Sequence, residues 1–150
     1  TAEEPTDAPY GRTAMCTDDA GTEFALYEPM PDNARPTPNG LHQGDLAYVT
    51  FEVTDSARHR DFFGAVLGWE FEPGRVEDGW GPIDVQPMTG ASGGHAREVA
   101  LPMWQVDDIT AAVERVRDAG GSSSDVQSQP YGLMAECADD QGGRFYLGQL

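Results

Sequence analysis

The sequence predicts an α+β domain built from two βαβββ modules, whose strands join into a curved mixed sheet around a cleft. Three observations predict it: a strand, turn, helix and glycine pattern that recurs at an offset of 53 residues, a second self-match at an offset of 121, and short strand candidates separated by Asp/Gly turns after each helix. The first match pairs LAYVTFEVTD at Leu46–Asp55 with VALPMWQVDD at Val99–Asp108. The second pairs YGRTAMCTDDAGTEFALY at Tyr10–Tyr27 with YGLMAECADDQGGRFYLG at Tyr131–Gly148, sharing Tyr-Gly, Ala, Cys, Asp-Asp, Gly, Phe and Leu without a gap.

Residues 1–43 come first: an acidic, Pro-rich opening, a hairpin over 10–28, and a connector, EPMPDNARPTPNGLHQG, with linker composition. The hairpin copy has no strand and helix ahead of it, so it is expected to be the end of another module in a longer tandem chain. Its sheet edges and its apolar Phe24 and Leu26 are expected to pair with an edge of the main domain or with a second copy of the chain.

The main domain is expected over 44–150, as modules 44–96 and 97–150. In the first, Leu46–Asp55 is the opening strand, Thr54–Ser56 supplies a helix cap, and Ala57, Phe62, Phe63, Val66 and Leu67 form an apolar stripe that ends at Gly68. Strands are then expected at Trp69–Glu72, Trp80–Gln86 and Thr89–His95. In the second, Ile109, Ala112, Val113, Val116 and Ala119 keep helical spacing, with Asp107 or Asp108 as cap and Gly120-Gly121 as the stop. Its later strands are expected at Ser122–Gln127, Leu133–Ala138 and Arg144–Leu147, with Asp/Gly turns between them. The Gly-rich run Gly90–Gly94 lacks the Lys and helix of a phosphate loop and is expected as a twisted edge strand or a loop over the cleft.

The formal charge of −17, from nine Arg, no Lys and 26 acidic residues, opposes contact with phosphate backbones, so nucleic acid is not an expected partner. No apolar run approaches the length that crosses a bilayer, so neither is a membrane. The chain reads as a cytoplasmic protein in which Cys16 and Cys137 stay reduced. No GxSxG, P-loop, HExxH or dinucleotide-binding glycine pattern is present.

VTFEVTD, RDFFGAVLGWEFEP, WQVDDITAAVERVRDAGG and ADDQGGRFYLGQL together resemble the vicinal-oxygen-chelate superfamily, the fold of glyoxalase, bleomycin-resistance protein and extradiol dioxygenase, in particular its tandem two-domain members of actinobacterial type. The resemblance implies a cleft with metal ligands at set strand positions in the metal-dependent members. Here those positions hold Tyr48, Leu101 and Tyr146, and the fourth falls near Asp84, Gln86 or His95. Tyr and Leu at three such places do not make a divalent-metal site. No cofactor is therefore expected, and a relocated site around His95 is the alternative. His42 precedes the first strand, and His59 is expected on the polar face of its helix.

Strand alternation assigns Tyr48, Thr50 and Glu52, then Leu101, Met103 and Gln105, and also Tyr146, to the cleft, with Val49, Phe51 and Val53 under the helix. Trp80 and Gln86 are added as ligand contacts, while Trp69 and Trp104 are assigned to packing. Glu52 needs a partner there, either an Arg or a cationic ligand. These residues either line a small-molecule pocket or fill a closed cavity. No catalytic residue stands out. Three functions follow: a metal-free binder of a cationic or aromatic small molecule such as an antibiotic; a lyase or dioxygenase with a displaced metal; and a domain kept for assembly, with homodimerisation by exchange of the hairpin.

Overall fold

Alternating apolar residues in Leu46–Asp55 and Val99–Asp108 produce two adjacent strands at the centre of the molecule. In the computed structural model, which describes residues 1–32 and 40–150, these are β4 (Leu46–Glu52) and β8 (Val99–Gln105). They pair antiparallel, with Tyr48 opposite Met103 and Glu52 opposite Val99. The middle of the expected linker, 33–39, lies outside the described residues.

Each central strand leads into a helix capped as the sequence suggests. Asp55 accepts from the amides of Ala57 and Arg58 at the start of α1 (Ser56–Leu67), and Gly68 ends it with φ 70°, where a side chain would be strained. Asp108 accepts from Ala111 N–H at the start of α2 (Ile109–Asp118). The first module continues with β5 (Phe71–Pro73), β6 (Gly79–Pro82) and β7 (Met88–Ser92). The second continues with β9 (Ser122–Ser123), β10 (Gln127–Gln129), β11 (Gly132–Ala138) and β12 (Arg144–Gln149).

The main sheet runs β10-β11-β12-β8-β4-β7-β6-β5, with β9 beside β11. In each module the last strand lies parallel to the first, β7 on β4 and β12 on β8, which the helical crossover permits. The Gly-rich strand β7 is thus internal, between β4 and β6, rather than an edge. Under α2 sits a cluster of Val106, Ile109, Ala112, Val113, Ala135, Cys137 and Leu147. No helix among the described residues is long and apolar enough to cross a membrane.

Residues 6–29 form a separate sheet, β1 (Thr6–Ala8), β2 (Gly11–Thr17) and β3 (Glu23–Pro29). Among the described residues it does not hydrogen-bond to an edge of the main sheet, the first of the two pairings expected of it. It docks on α1 through side chains: the Phe24 ring lies 6.0 Å from Phe62 and 5.6 Å from Phe63, and Arg58 pairs with Asp19.

Three expectations about packing are corrected. His59 is buried, not on a polar face: its ring lies 4.7 Å from Phe63 and 5.1 Å from Phe51, because Ser56, His59 and Phe63 form the inward stripe of α1. Val66 and Leu67, in the last turn of that helix, are exposed. Trp104 does point to the helix side, opposite Leu147, yet it is 38% exposed. Helix α2 covers β9, β11 and β12 while α1 packs near β7, leaving the outer surface over β8 between them.

Candidate functional site

The register of the central strands sets one row of side chains across the concave face. Met88 lies beside Tyr48, Tyr48 opposite Met103, Met103 beside Tyr146, and Tyr146 opposite Glu136. Val49, Phe51 and Val53 alternate to the other side, where Phe51 meets His59 and Phe63 under α1. Room for Tyr48 comes from Gly90: any β-carbon there would collide with the Tyr48 hydroxyl. Met103 is buried and its sulfur occupies the space above Gly148.

The next positions along the same strands are Thr50, beside Gly90 and opposite the buried Leu101, then Glu52, beside Ser92. Glu52 has its partner: Arg144 donates to both carboxylate oxygens, at 2.8 and 3.0 Å. His95 Nδ1 stands 3.9 Å from the same carboxylate, and its Nε2 shares a 2.9 Å hydrogen bond with the Ser92 hydroxyl. The bond from Arg144 is the main reason the Glu52 carboxyl titrates below its ordinary range. Burial pushes the phenols of Tyr48 and Tyr146 up, with nearby Tyr131 adding to the first and Glu136 to the second, so both remain neutral donors.

The expected site divides. Tyr48, Thr50, Glu52, Leu101, Met103 and Tyr146 share the concave face. Gln86 and Gln105 sit at one end of it, lining a pocket of about 270 Å³ with Leu46, Ala47, Met88 and Leu150. Gln105 is buried and satisfied within the chain: its Nε2 donates to Val106 O, and its Oε1 accepts from Leu150 N. Trp80 is a correction: it pairs with Ala91 and faces the helix side, where Arg60 of α1 stacks 3.7 Å above its ring and Asp78 accepts from its Nε1. The alternation that fixed the long strands did not reach the four-residue β6. Trp69, assigned to packing, stacks on Phe63 at 5.6 Å.

Sequence reasoning left out Arg144, Glu136, Arg75 and Tyr131. Arg75, in the loop after β5, lies 5.0 Å above the Tyr131 ring just ahead of β11, so the two ends of the curved sheet meet over the cleft. The unpaired carboxylate expected at Glu52 was the signal for Arg144. Nothing comparable in the sequence marks Arg75.

The donor set does not suit a divalent metal. Leu101 offers no lone pair, Glu52 is engaged by Arg144, and His95 is engaged by Ser92. Among the described residues, no three His, Cys, Asp or Glu side chains form a group able to hold a metal ion.

Residues 48–147, more than half of the chain, match the family model of the glyoxalase-like domain. Among solved structures, the 2,3-dioxygenase LapB from Pseudomonas sp. KL28 is similar over 100% of this chain and 62% of its own, at 13% identity and a TM-score of 0.69. The chain thus spans less than two-thirds of that dioxygenase. A methylmalonyl-CoA epimerase from Streptomyces coelicolor matches 72% of this chain and 95% of its own, at 13% identity and a TM-score of 0.54. A glyoxalase/bleomycin resistance protein/dioxygenase superfamily member from Vibrio splendidus 12B01 matches 68% and 97%, at 20% identity and a TM-score of 0.51. No protein of curated function matches in sequence. At these identities the structural likenesses speak for fold alone. Together with the family match and the paired βαβββ modules, they place the chain in the glyoxalase-like domain family of the vicinal-oxygen-chelate superfamily.

Proposed function

We propose that the protein binds a small aromatic or cationic organic molecule on its concave face without metal chemistry, in the manner of a sequestering protein of the glyoxalase and bleomycin-resistance type. The observation that carries this reading is the row Tyr48, Met103 and Tyr146: two neutral phenols on either side of a buried thioether, where a metal-binding relative needs imidazoles and carboxylates. Aromatic faces and a thioether favour flat apolar ligands, and the phenols add directional hydrogen bonds. The charge of −17 favours a cation over an anion in the approach to the cleft. Free, buried Cys16 and Cys137 support a reducing compartment, and so a cytoplasmic role.

The test is titration with bleomycin and with ethidium, followed by tryptophan and tyrosine fluorescence, before and after exhaustive EDTA dialysis. Saturable binding that survives dialysis and weakens at least about tenfold in Tyr146→Ala, a loss of about 1.4 kcal/mol, is expected. Stoichiometric Zn, Ni, Fe or Mn in freshly purified protein, with binding lost on its removal, would move the assignment to a metal-dependent lyase or dioxygenase. If neither probe binds and no metal is present, the domain serves assembly instead.

A further inference from the structure

The row of phenols and thioether leaves one end of the concave face unused. There β4 and β7 lie parallel with Glu52 beside Ser92, and the chain turns through Gly93 and Gly94 to bring His95 back against both side chains. The turn is pinned to the end of β4. Val53 N–H donates to Ser92 O at 2.9 Å, Gly94 N–H to Thr54 O at 3.3 Å and His95 N–H to Val53 O at 3.0 Å. Gly94 has φ 81°, where a side chain would be strained, and this lets the chain double back within two residues.

Glu52, His95 and Ser92 make a directed chain. A carboxylate only accepts, so the ring proton of His95 belongs on Nδ1, which stands 3.9 Å from Glu52 Oε2. Nε2 is then the acceptor, and the Ser92 hydroxyl donates to it at 2.9 Å. Arg144 donates once to each oxygen of Glu52, but each oxygen has two lone pairs, so Oε2 keeps room for the imidazole. A separation of 3.9 Å exceeds a hydrogen bond, as that between a catalytic base and its orienting group often does before substrate tightens the site. The ends of the chain are open to small molecules: the His95 side chain is 36% exposed and Ser92 is half-buried.

A fourth group faces Ser92 along its own strand. The Tyr48 hydroxyl lies over Gly90, two residues before Ser92 on β7 and so on the same face. Same-face positions on a strand are about 7 Å apart, which leaves space for a carbonyl carbon near Ser92 Oγ with its oxygen toward the phenol. Burial keeps that phenol protonated and therefore a donor. A bond that served the turn alone would need neither the carboxylate behind the ring nor a neutral donor ahead of the hydroxyl.

We propose that Ser92, His95 and Glu52 act as nucleophile, base and orienting carboxylate in the hydrolysis of small carboxylic esters, with Tyr48 donating to the oxyanion. Ser92 Oγ attacks the ester carbonyl carbon while its proton passes to His95 Nε2, and the carbonyl electron pair moves to the oxygen facing Tyr48. As the tetrahedral centre collapses, the bond to the alkoxide breaks and His95 returns the proton to it as an alcohol. Water then adds to the acyl-serine by the same route, releasing the acid and restoring the serine hydroxyl. Ester and water become acid and alcohol.

The test uses the 150-residue chain and two reagents small enough to react without filling the row of Tyr48, Met103 and Tyr146, so its failure and a failure of ligand binding are told apart. With diisopropyl fluorophosphate, the Ser92 Oγ–P bond forms as P–F breaks, and peptide mass mapping is expected to find the adduct on Ser92. With p-nitrophenyl acetate, kcat should fall at least about 100-fold in Ser92→Ala and His95→Gln, and at least about tenfold in Tyr48→Phe. Glu52→Gln, which tests a positioning residue, should lower kcat at least about tenfold and leave KM within about twofold. Labelling of wild type needs no substitution, so it decides the matter even where a variant fails to fold. No adduct on Ser92, labelling as fast in His95→Gln as in wild type, or wild-type hydrolysis by Ser92→Ala each overturns the proposal and leaves Ser92 and His95 with a structural hydrogen bond only.

Discussion

Replacing Arg144 by methionine isolates the ion pair at the cleft. The side chain of Glu52 is 14% exposed and that of Arg144 38%. Breaking a buried pair by removing one partner costs roughly 3 to 5 kcal/mol, and an exposed pair is worth about 0 to 1. With the carboxylate mostly buried and the guanidinium more than a third exposed, solvent screening sets the expected loss at about 1 to 2 kcal/mol at neutral pH. The pH dependence follows from the depressed carboxyl of Glu52, whose ordinary value is 4.5. Its stabilisation is complete above that unfolded-state value and is lost as pH falls through the lower folded value. The variant's deficit is therefore full near pH 7 and shrinks well below 4.5, where wild type loses the same contribution. Urea unfolding at both pH values, with the slope checked for constancy, measures it. Glu52→Gln added to Arg144→Met should be less destabilised than the two single losses summed, since no carboxylate is left stranded. An equal deficit at both pH values, or strict additivity of the two substitutions, would refute the assigned coupling.

Two further expectations concern α1. Burial holds His59 below its ordinary 6.5, and its Nε2 has no hydrogen-bond partner among the described residues. The unfolded chain therefore takes up the proton first, and wild type should lose stability as pH drops below about 6.5. His59→Phe should flatten that part of the profile in thermal melts and leave stability at pH 8 within about 1.5 kcal/mol; an unchanged slope would show that another group is responsible. Phe63 touches Phe24, Phe51, His59, Phe62 and Trp69. Phe63→Ala should cost roughly 3 to 5 kcal/mol and should also quicken hydrogen exchange throughout Gly11–Pro29. Loss of stability without that faster exchange would mean that the N-terminal sheet is held by other contacts.

Much of the fold was legible because its cues are local and repeated. Asp55, Gly68 and Asp108 mark helix ends through bonds that span three or four residues, and alternation in two seven-residue strands separates Tyr48 and Met103 from Phe51 and Trp104. Where cues depend on distant parts of the chain, the reading failed. His59 looks polar by residue type, but Phe51 and Phe71 arrive from other strands to enclose it. Trp104 faces the side that the alternation assigns, yet it stays partly open to solvent. Trp80 lies on a strand too short for a period to be read, and its partner Arg60 is on another element. For the site, the need of Glu52 for a counter-charge was visible, but its identity as Arg144 rests on register across 92 residues. Arg75 belongs to a loop whose course follows only from the curl of the whole sheet.

The Arg75 and Tyr131 contact joins two ends of a sheet that is otherwise continuous through backbone hydrogen bonds. A cation over an aromatic face at an exposed site is worth about 0.5 to 1 kcal/mol, close to thermal energy, whereas the floor of the cleft is a ladder of paired strands. The molecule is mechanically anisotropic in consequence. Its floor is stiff, and the width of its mouth is a soft coordinate set by two side chains whose rotamers change in nanoseconds or less. The mouth can therefore change width by side-chain motion alone, while the strands beneath hold their register.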